Sequence, residues 1–187
     1  APGGPYRFRQ APQPGLVTPA TDLLDAKERG FLAGLPVLRV GLNLPDNRPY
    51  EVIADNGEIS GIQVEILARL AQAMGLRLEP VVLPDFPSTL AALRERRIDL
   101  MTTVGYEPAR EAYMAFTLGT APNPGAVLGR QADNRLAAEP SLNGRRVAIE
   151  RGYVTRYHVQ RLYPDALISE RNDTADALRA VALGEDD

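Results

Sequence analysis

The 187-residue chain has no cysteine and no tryptophan, and its single histidine is His158. Without cysteine, disulfides, thiolate metal ligands and Cys nucleophiles are excluded. One histidine and four serines, none in G-x-S-x-G, leave little material for a Ser-His triad. His158 falls between Tyr157 and Val159 on a predicted helix, a setting that suits a structural role better than a catalytic one. A metal site would rest on carboxylates alone, and the run Glu185, Asp186, Asp187 reads more simply as a solvated helix end. Neither phosphate-cradling motif, G-x-x-x-x-G-K-[ST] or G-x-G-x-x-G, occurs. No apolar run approaches the about 18 residues of a membrane span, and no basic-then-apolar leader opens the chain, whose N-terminus reads as a mature end. The formal net charge is -3 with both signs dispersed, so the basic stripe that nucleic acid requires is missing. The expectation is a binding domain with no catalytic residue, no metal and no cofactor.

What is present is an ordinary globular composition, 44% hydrophobic and 24% charged, enough for one generous domain or two small lobes. Residues 1–20 are rich in Pro and Gly with little periodicity and read as a linker or arm with little regular structure. Residues 21–35 suggest a short lead-in helix capped by Thr21 or Asp22. VLRVGLN (37–43) reads as a strand, followed by the turn-rich LPDNRPY. In GIQVEILARLAQAMGL the residues Ile62, Ile66, Leu70 and Met74 lie four apart with Leu67 and Ala71 beside them, which predicts an amphipathic helix stopped by Gly75. RLEPVVLP then reads as a strand, PSTLAALRERRI as a helix opened by Ser88, and DLMTTV as a strand. Strand, helix, strand, helix, strand implies a largely parallel sheet with right-handed crossovers, an α/β fold.

Beyond FTLGTAPNPG the pattern restarts: AVLGRQ as a strand, RRVAIERG as a strand, VTRYHVQRLYP as a helix, ALISER as a strand, and TADALRAVALG as a helix capped by Asp173 or Thr174. The chain stops at GEDD, where a further strand is expected, so the second α/β unit reads as incomplete.

In parallel α/β sheets ligands lie beyond the carboxyl ends of the strands. Three loops qualify here: Asn43 to Tyr50, Thr102 to Arg110, and Glu150 to Thr155. Arg110 could grip a carboxylate through two parallel N–H···O bonds; it could equally open a surface helix, PAREAYMAF, and pair with Glu107. Thr102 and Thr103 could add hydroxyl or backbone donors. Tyr50 and Tyr106 could be aromatic walls or packing anchors, and Thr155 suits a plain helix cap more than a ligand donor.

The order of LRVGLN with Pro49-Tyr50, NGEISGIQVEILARLAQAMGL, RRIDLMTTVGYEPAREAYMAFT, LNGRRVAIERGY and NDTADALRAVALGEDD resembles the type 2 periplasmic binding proteins over residues 37–187. Within that superfamily, FLAGLPVLRVG and LNGRRVAIERGYVTRYHVQRLYPDA look most like the Venus-flytrap sensor domains of hybrid histidine kinases of the BvgS type. The resemblance implies a bilobed fold, with lobe 1 over 36–117 and lobe 2 over 118–187, the hinge near Thr117 to Asn123 and the second lobe truncated. It implies a periplasmic sensor whose lobes open and close around a small amino-acid-like or carboxylate ligand in the inter-lobe cleft. Membrane attachment would come through flanking segments, and the full-length receptor could be a homodimer.

A free solute-binding protein of an amino-acid importer is the alternative, and a dehydratase or a domain associated with a lytic transglycosylase shares the fold. Amino-acid-binding members carry Gly-x-Thr-x-Thr-x-x-Arg after the third strand, and that arginine holds the ligand carboxylate. Arg110 matches it, while Thr103 stands at the glycine and Gly105 and Glu107 at the threonines. The same comparison places Glu150, Arg151 and Thr155 on or beside cleft-facing positions.

Overall fold

The computed structural model describes residues 6–9, 24–35, 37–121, 123–131 and 141–187. They fall into two compact units, one drawn from Ala1–Val104 with Tyr113–Ala115, the other from Gly105–Ala112 with Phe116–Asp187. Residues 105–112, expected in the first lobe, are thus grouped with the second unit.

The first unit opens with β1 (Arg7–Phe8) and α1 (Ala26–Ala33). The expected caps Thr21 and Asp22 lie outside the described residues. Asp25 is the cap instead, closing a reciprocal box with Glu28 in which each side chain accepts from the other's backbone N–H at 2.8 Å. Next come β2 (Leu38–Asn43), β3 (Val52–Ile53), β4 (Glu58–Ser60), α2 (Ile62–Met74), β5 (Leu78–Leu83), α3 (Phe86–Arg94) and β6 (Leu100–Met101). One parallel sheet has the order β5-β2-β6, with Gly41 opposite Val81 and Met101. Its β2–β6 side is pinned by Arg39, whose guanidinium and backbone N–H all bond the Asp99 carboxylate at 2.8 to 3.0 Å. These bonds hold the Asp99 carboxyl below its ordinary range.

The N-terminal arm is a correction. Arg7 and Phe8 pair in parallel with Glu58 and Ile59, because Tyr6 and Phe8 have apolar surface to bury against the cluster of Val40, Leu42, Ile53, Ile59 and Val64. β3 and β4 form an antiparallel hairpin. Gly57, at φ +78°, makes the turn. Three helix details also differ. Helix α2 buries Val64 and Ala71, with Leu67 packed partway, while Ile62 and Leu70 of the four-apart stripe stay exposed. Helix α3 is capped by Asp85, not Ser88, whose N–H donates to Asp85 at 2.7 Å. The strand DLMTTV shrinks to two residues, with Thr102 and Thr103 bending away from the sheet.

The second unit holds a 3-10 turn (Pro108–Ala112), β7 (Arg146–Glu150), α4 (Thr155–Leu162), β8 (Leu167–Arg171) and α5 (Thr174–Leu183). β7 and β8 are parallel, and Leu142, Ile149 and Val159 form the buried core beside them. Asp173 caps α5 by accepting from the Asp176 N–H at 2.8 Å. AVLGRQ does not form a strand: Val127 and Leu128 are 57% and 66% exposed, so no packing offsets the entropy of extending the segment. PAREAYMAF is not a surface helix either. It makes one 3-10 turn, and its arginine is buried.

Candidate functional site

In the first unit, adjacent strands β2 and β6 deliver Asn43 and the threonine pair to the same sheet end. Asn43 is buried and its amide donates to the Pro45 carbonyl at 3.1 Å, holding its own exit loop. Tyr50 is half-buried, and its carbonyl accepts from the Gln63 N–H at 3.1 Å. Gly61 lets this loop approach the start of α2: at φ +120°, a Cβ there would lie 2.4 Å from the Tyr50 carbonyl oxygen.

Glu51 is the residue that the sequence pattern missed. It is 2% exposed, and one carboxylate oxygen accepts the hydroxyls of both Thr102 and Thr103, the latter at 2.7 Å. Burial pushes the Glu51 carboxyl up from its ordinary range; the two hydroxyls oppose the shift and nearby Asp46 adds to it. Thr102 and Thr103, expected to offer hydroxyl protons to a ligand, spend those protons on Glu51. What they can still offer a ligand is acceptor lone pairs, since the Thr103 backbone N–H is also engaged by Glu51. The only sequence signal for Glu51 was its place immediately after the Pro-aromatic pair.

In the second unit, the turn at Pro108–Ala112 carries Arg110 inward to 3% exposure. Its Nη1 donates to the Gly105 carbonyl at 2.9 Å, its Nη2 to the Gly152 carbonyl at 2.7 Å, and its Nε lies 3.0 Å from a Glu107 carboxylate oxygen. Gly105 packs closely here, since a Cβ would come within 2.3 Å of Val154. Tyr106 is half exposed, its ring edge-to-face with Phe116 at 5.3 Å, and its hydroxyl donates to Glu111, which pushes the phenol up.

Glu150 accepts the Thr174 hydroxyl at 2.7 Å. Arg151 is exposed and 3.8 Å from Glu170. Thr155 is exposed and is the first residue of α4, with Val154 at the cap position, so it is not the cap expected of it. His158 is exposed on α4 with its ring beside Tyr157. Among the described residues no group of three His, Cys, Asp or Glu side chains could hold a metal ion, and no helix is long and apolar enough to cross a membrane.

The geometry therefore gathers Asn43, Glu51, Thr102 and Thr103 in one unit, and Gly105, Arg110 and the Gly152 turn in the other. The first group presents hydroxyl, amide and carboxyl groups, the second a guanidinium and backbone carbonyls. In the first group the Thr102 and Thr103 hydroxyls are bonded to the Glu51 carboxylate; the second holds a buried arginine and backbone carbonyls.

Residues 38–182 match the family described as bacterial extracellular solute-binding proteins, family 3. The virulence sensor protein BvgS of Bordetella bronchiseptica is 30% identical over 165 residues, covering 88% of this chain and 13% of that protein. The chain thus spans about an eighth of the length of that relative. The crystal structure of the Bordetella pertussis BvgS periplasmic VFT2 domain matches with a TM-score of 0.74 at 26% identity, over 87% of this chain and 69% of that one. The amino-acid-binding protein AabA of Dichelobacter nodosus is 30% identical over 82 residues, 43% of this chain and 32% of that protein.

Proposed function

Because the chain belongs to the bacterial extracellular solute-binding proteins of family 3, we propose that it is the periplasmic ligand-sensing domain of a two-component histidine kinase, binding a small amino-acid-like or carboxylate ligand. The observation that carries the sensor reading is the fold match to the BvgS VFT2 domain across most of the chain. The polar groups at the strand exits, with Arg110 as the carboxylate grip, are the proposed contacts; Asn43, Tyr50, Thr102, Thr103, Gly105, Tyr106, Glu150, Arg151 and Thr155 complete the set. In this reading the ligand shifts a balance between two conformations, and it signals only to the extent that it binds one better than the other. In this reading membrane attachment comes through flanking segments, and the full-length receptor is a homodimer.

A free binding protein serving an amino-acid importer is the second reading, favoured by the amino-acid-binding relative from Dichelobacter nodosus. The test is a thermal-shift screen with amino acids and small carboxylates, since a ligand of the folded state raises the midpoint by mass action. A saturable rise is expected, smaller in Arg110→Lys. No rise with any compound would sink the binding reading, and an equal rise in Arg110→Lys would remove Arg110 from the site. In the full-length protein, ligand-dependent autophosphorylation separates sensing from transport. Turnover of prephenate to an aromatic product would instead favour a dehydratase.

A further inference from the structure

Arg110 is the buried cation among the described residues, and its guanidinium is surrounded by the chain's own oxygens. Two are backbone carbonyls, of Gly105 and Gly152. The third is the carboxylate of Glu107, which meets Nε at 3.0 Å from three residues earlier in the same turn. A guanidinium cannot discharge by losing a proton, so a buried one must keep a counter-ion. Here the counter-ion is already supplied. Two carbonyl dipoles point their negative ends at the cation and a full carboxylate balances its charge, so an added anion meets a neutral, oxygen-lined group.

We infer that Glu107 is a resident competitor for Arg110 and thereby the residue that sets how tightly this chain takes a carboxylate ligand. The inference rests on the reading of Arg110 as the ligand grip. Among these partners, Glu107 is the exchangeable one. The carbonyls are fixed by the backbone, whereas the Glu107 side chain is 30% exposed and can turn into water when a ligand carboxylate takes its place on Arg110. A free carboxylate competes with a tethered one whose effective concentration is on the order of millimolar or higher. Carboxylates therefore bind the natural chain weakly, and a neutral residue at position 107 opens the guanidinium to them.

The experiment is isothermal titration of the chain with succinate, glycine and L-glutamate, alongside the neutral amides of the same compounds. It uses wild type, Glu107→Gln, Glu107→Thr, and Glu107→Gln combined with Arg110→Lys, each checked for a cooperative melt. At least about tenfold tighter carboxylate binding is expected in the single variants, lost when Arg110 is also replaced and absent for the amides. Equal carboxylate affinity in wild type and Glu107→Gln overturns the role of Glu107 while leaving the ligand-binding reading intact. Failure of the variants to gain any carboxylate binding also overturns it, and amide binding by wild type in the same titrations then keeps the binding reading alive. Loss of folding in both single variants would make Glu107 a structural partner and overturn the inference equally.

Discussion

Glu51 and Arg110 are buried to almost the same degree, 2% and 3% exposed, and the two units stabilise them differently. Glu51 receives two neutral hydroxyls, and its carboxyl is pushed up. Arg110 receives two carbonyls and a formal counter-ion. The difference follows from what each group can do when desolvated. A carboxylate can take up a proton and become neutral, so hydroxyl partners suffice; a guanidinium stays charged and needs an anion. The acid site in the first unit is therefore open to adjustment by pH, while the cation site in the second is permanently ionic.

The largest expected effect comes from removing the ionic partner that cannot be neutralised. Arg110→Met keeps the side-chain bulk but strands two carbonyls and Glu107, and urea unfolding should show a loss of about 3 kcal/mol. Arg39→Met, which breaks the part-exposed bridge to Asp99, should lose distinctly less. A loss at Arg110 no greater than that at Arg39 would mean that burial does not distinguish the two pairs.

The next effect isolates the hydroxyl donors. Thr103→Val is nearly isosteric and leaves Glu51 with one hydroxyl instead of two, so a loss of about 1 to 2 kcal/mol near neutral pH is expected in the same unfolding measurement. The loss should shrink at low pH, where a protonated Glu51 depends less on donors. A pH-independent loss would assign the effect to packing.

How legible this was differs between fold and site. Strands β2, β5, β7 and β8 and helices α2 and α5 follow from local periodicity, because each buries one face or lies between two covering layers. The arm strand at Arg7–Phe8 does not, since its partner is Glu58–Ile59, about fifty residues away, and its few apolar residues acquire meaning only beside that edge. AVLGRQ fails in the opposite direction: its local preference is extended, but it has no covering layer over Val127 and Leu128. Asn43, Thr102, Thr103 and Arg110 became candidates by the rule that strand exits carry ligands, and i to i+3 spacing made the Arg110–Glu107 pair readable as one of two alternatives. The burial of Glu51 was not legible, because a single acid between Tyr50 and Val52 looks like any loop carboxylate until Thr102 and Thr103 arrive from another strand.

The smallest expected effect is also the sharpest test of the contrast, because its sign is fixed. The Glu51 carboxyl is raised in the folded state, so its contribution is fully present below the unfolded carboxyl range and is lost as pH rises through the folded value. Glu51→Gln removes the ionisation while its amide oxygen can still accept both threonine hydroxyls. From about pH 4 to about pH 8, the melting temperature of Glu51→Gln should therefore improve steadily relative to wild type. The same substitution at Glu107 should lower the melting temperature outright, because there it removes a counter-ion from a cation that remains charged. A flat or falling difference for Glu51→Gln would mean that the two hydroxyls outweigh burial and that Glu51 stays ionised in the folded state.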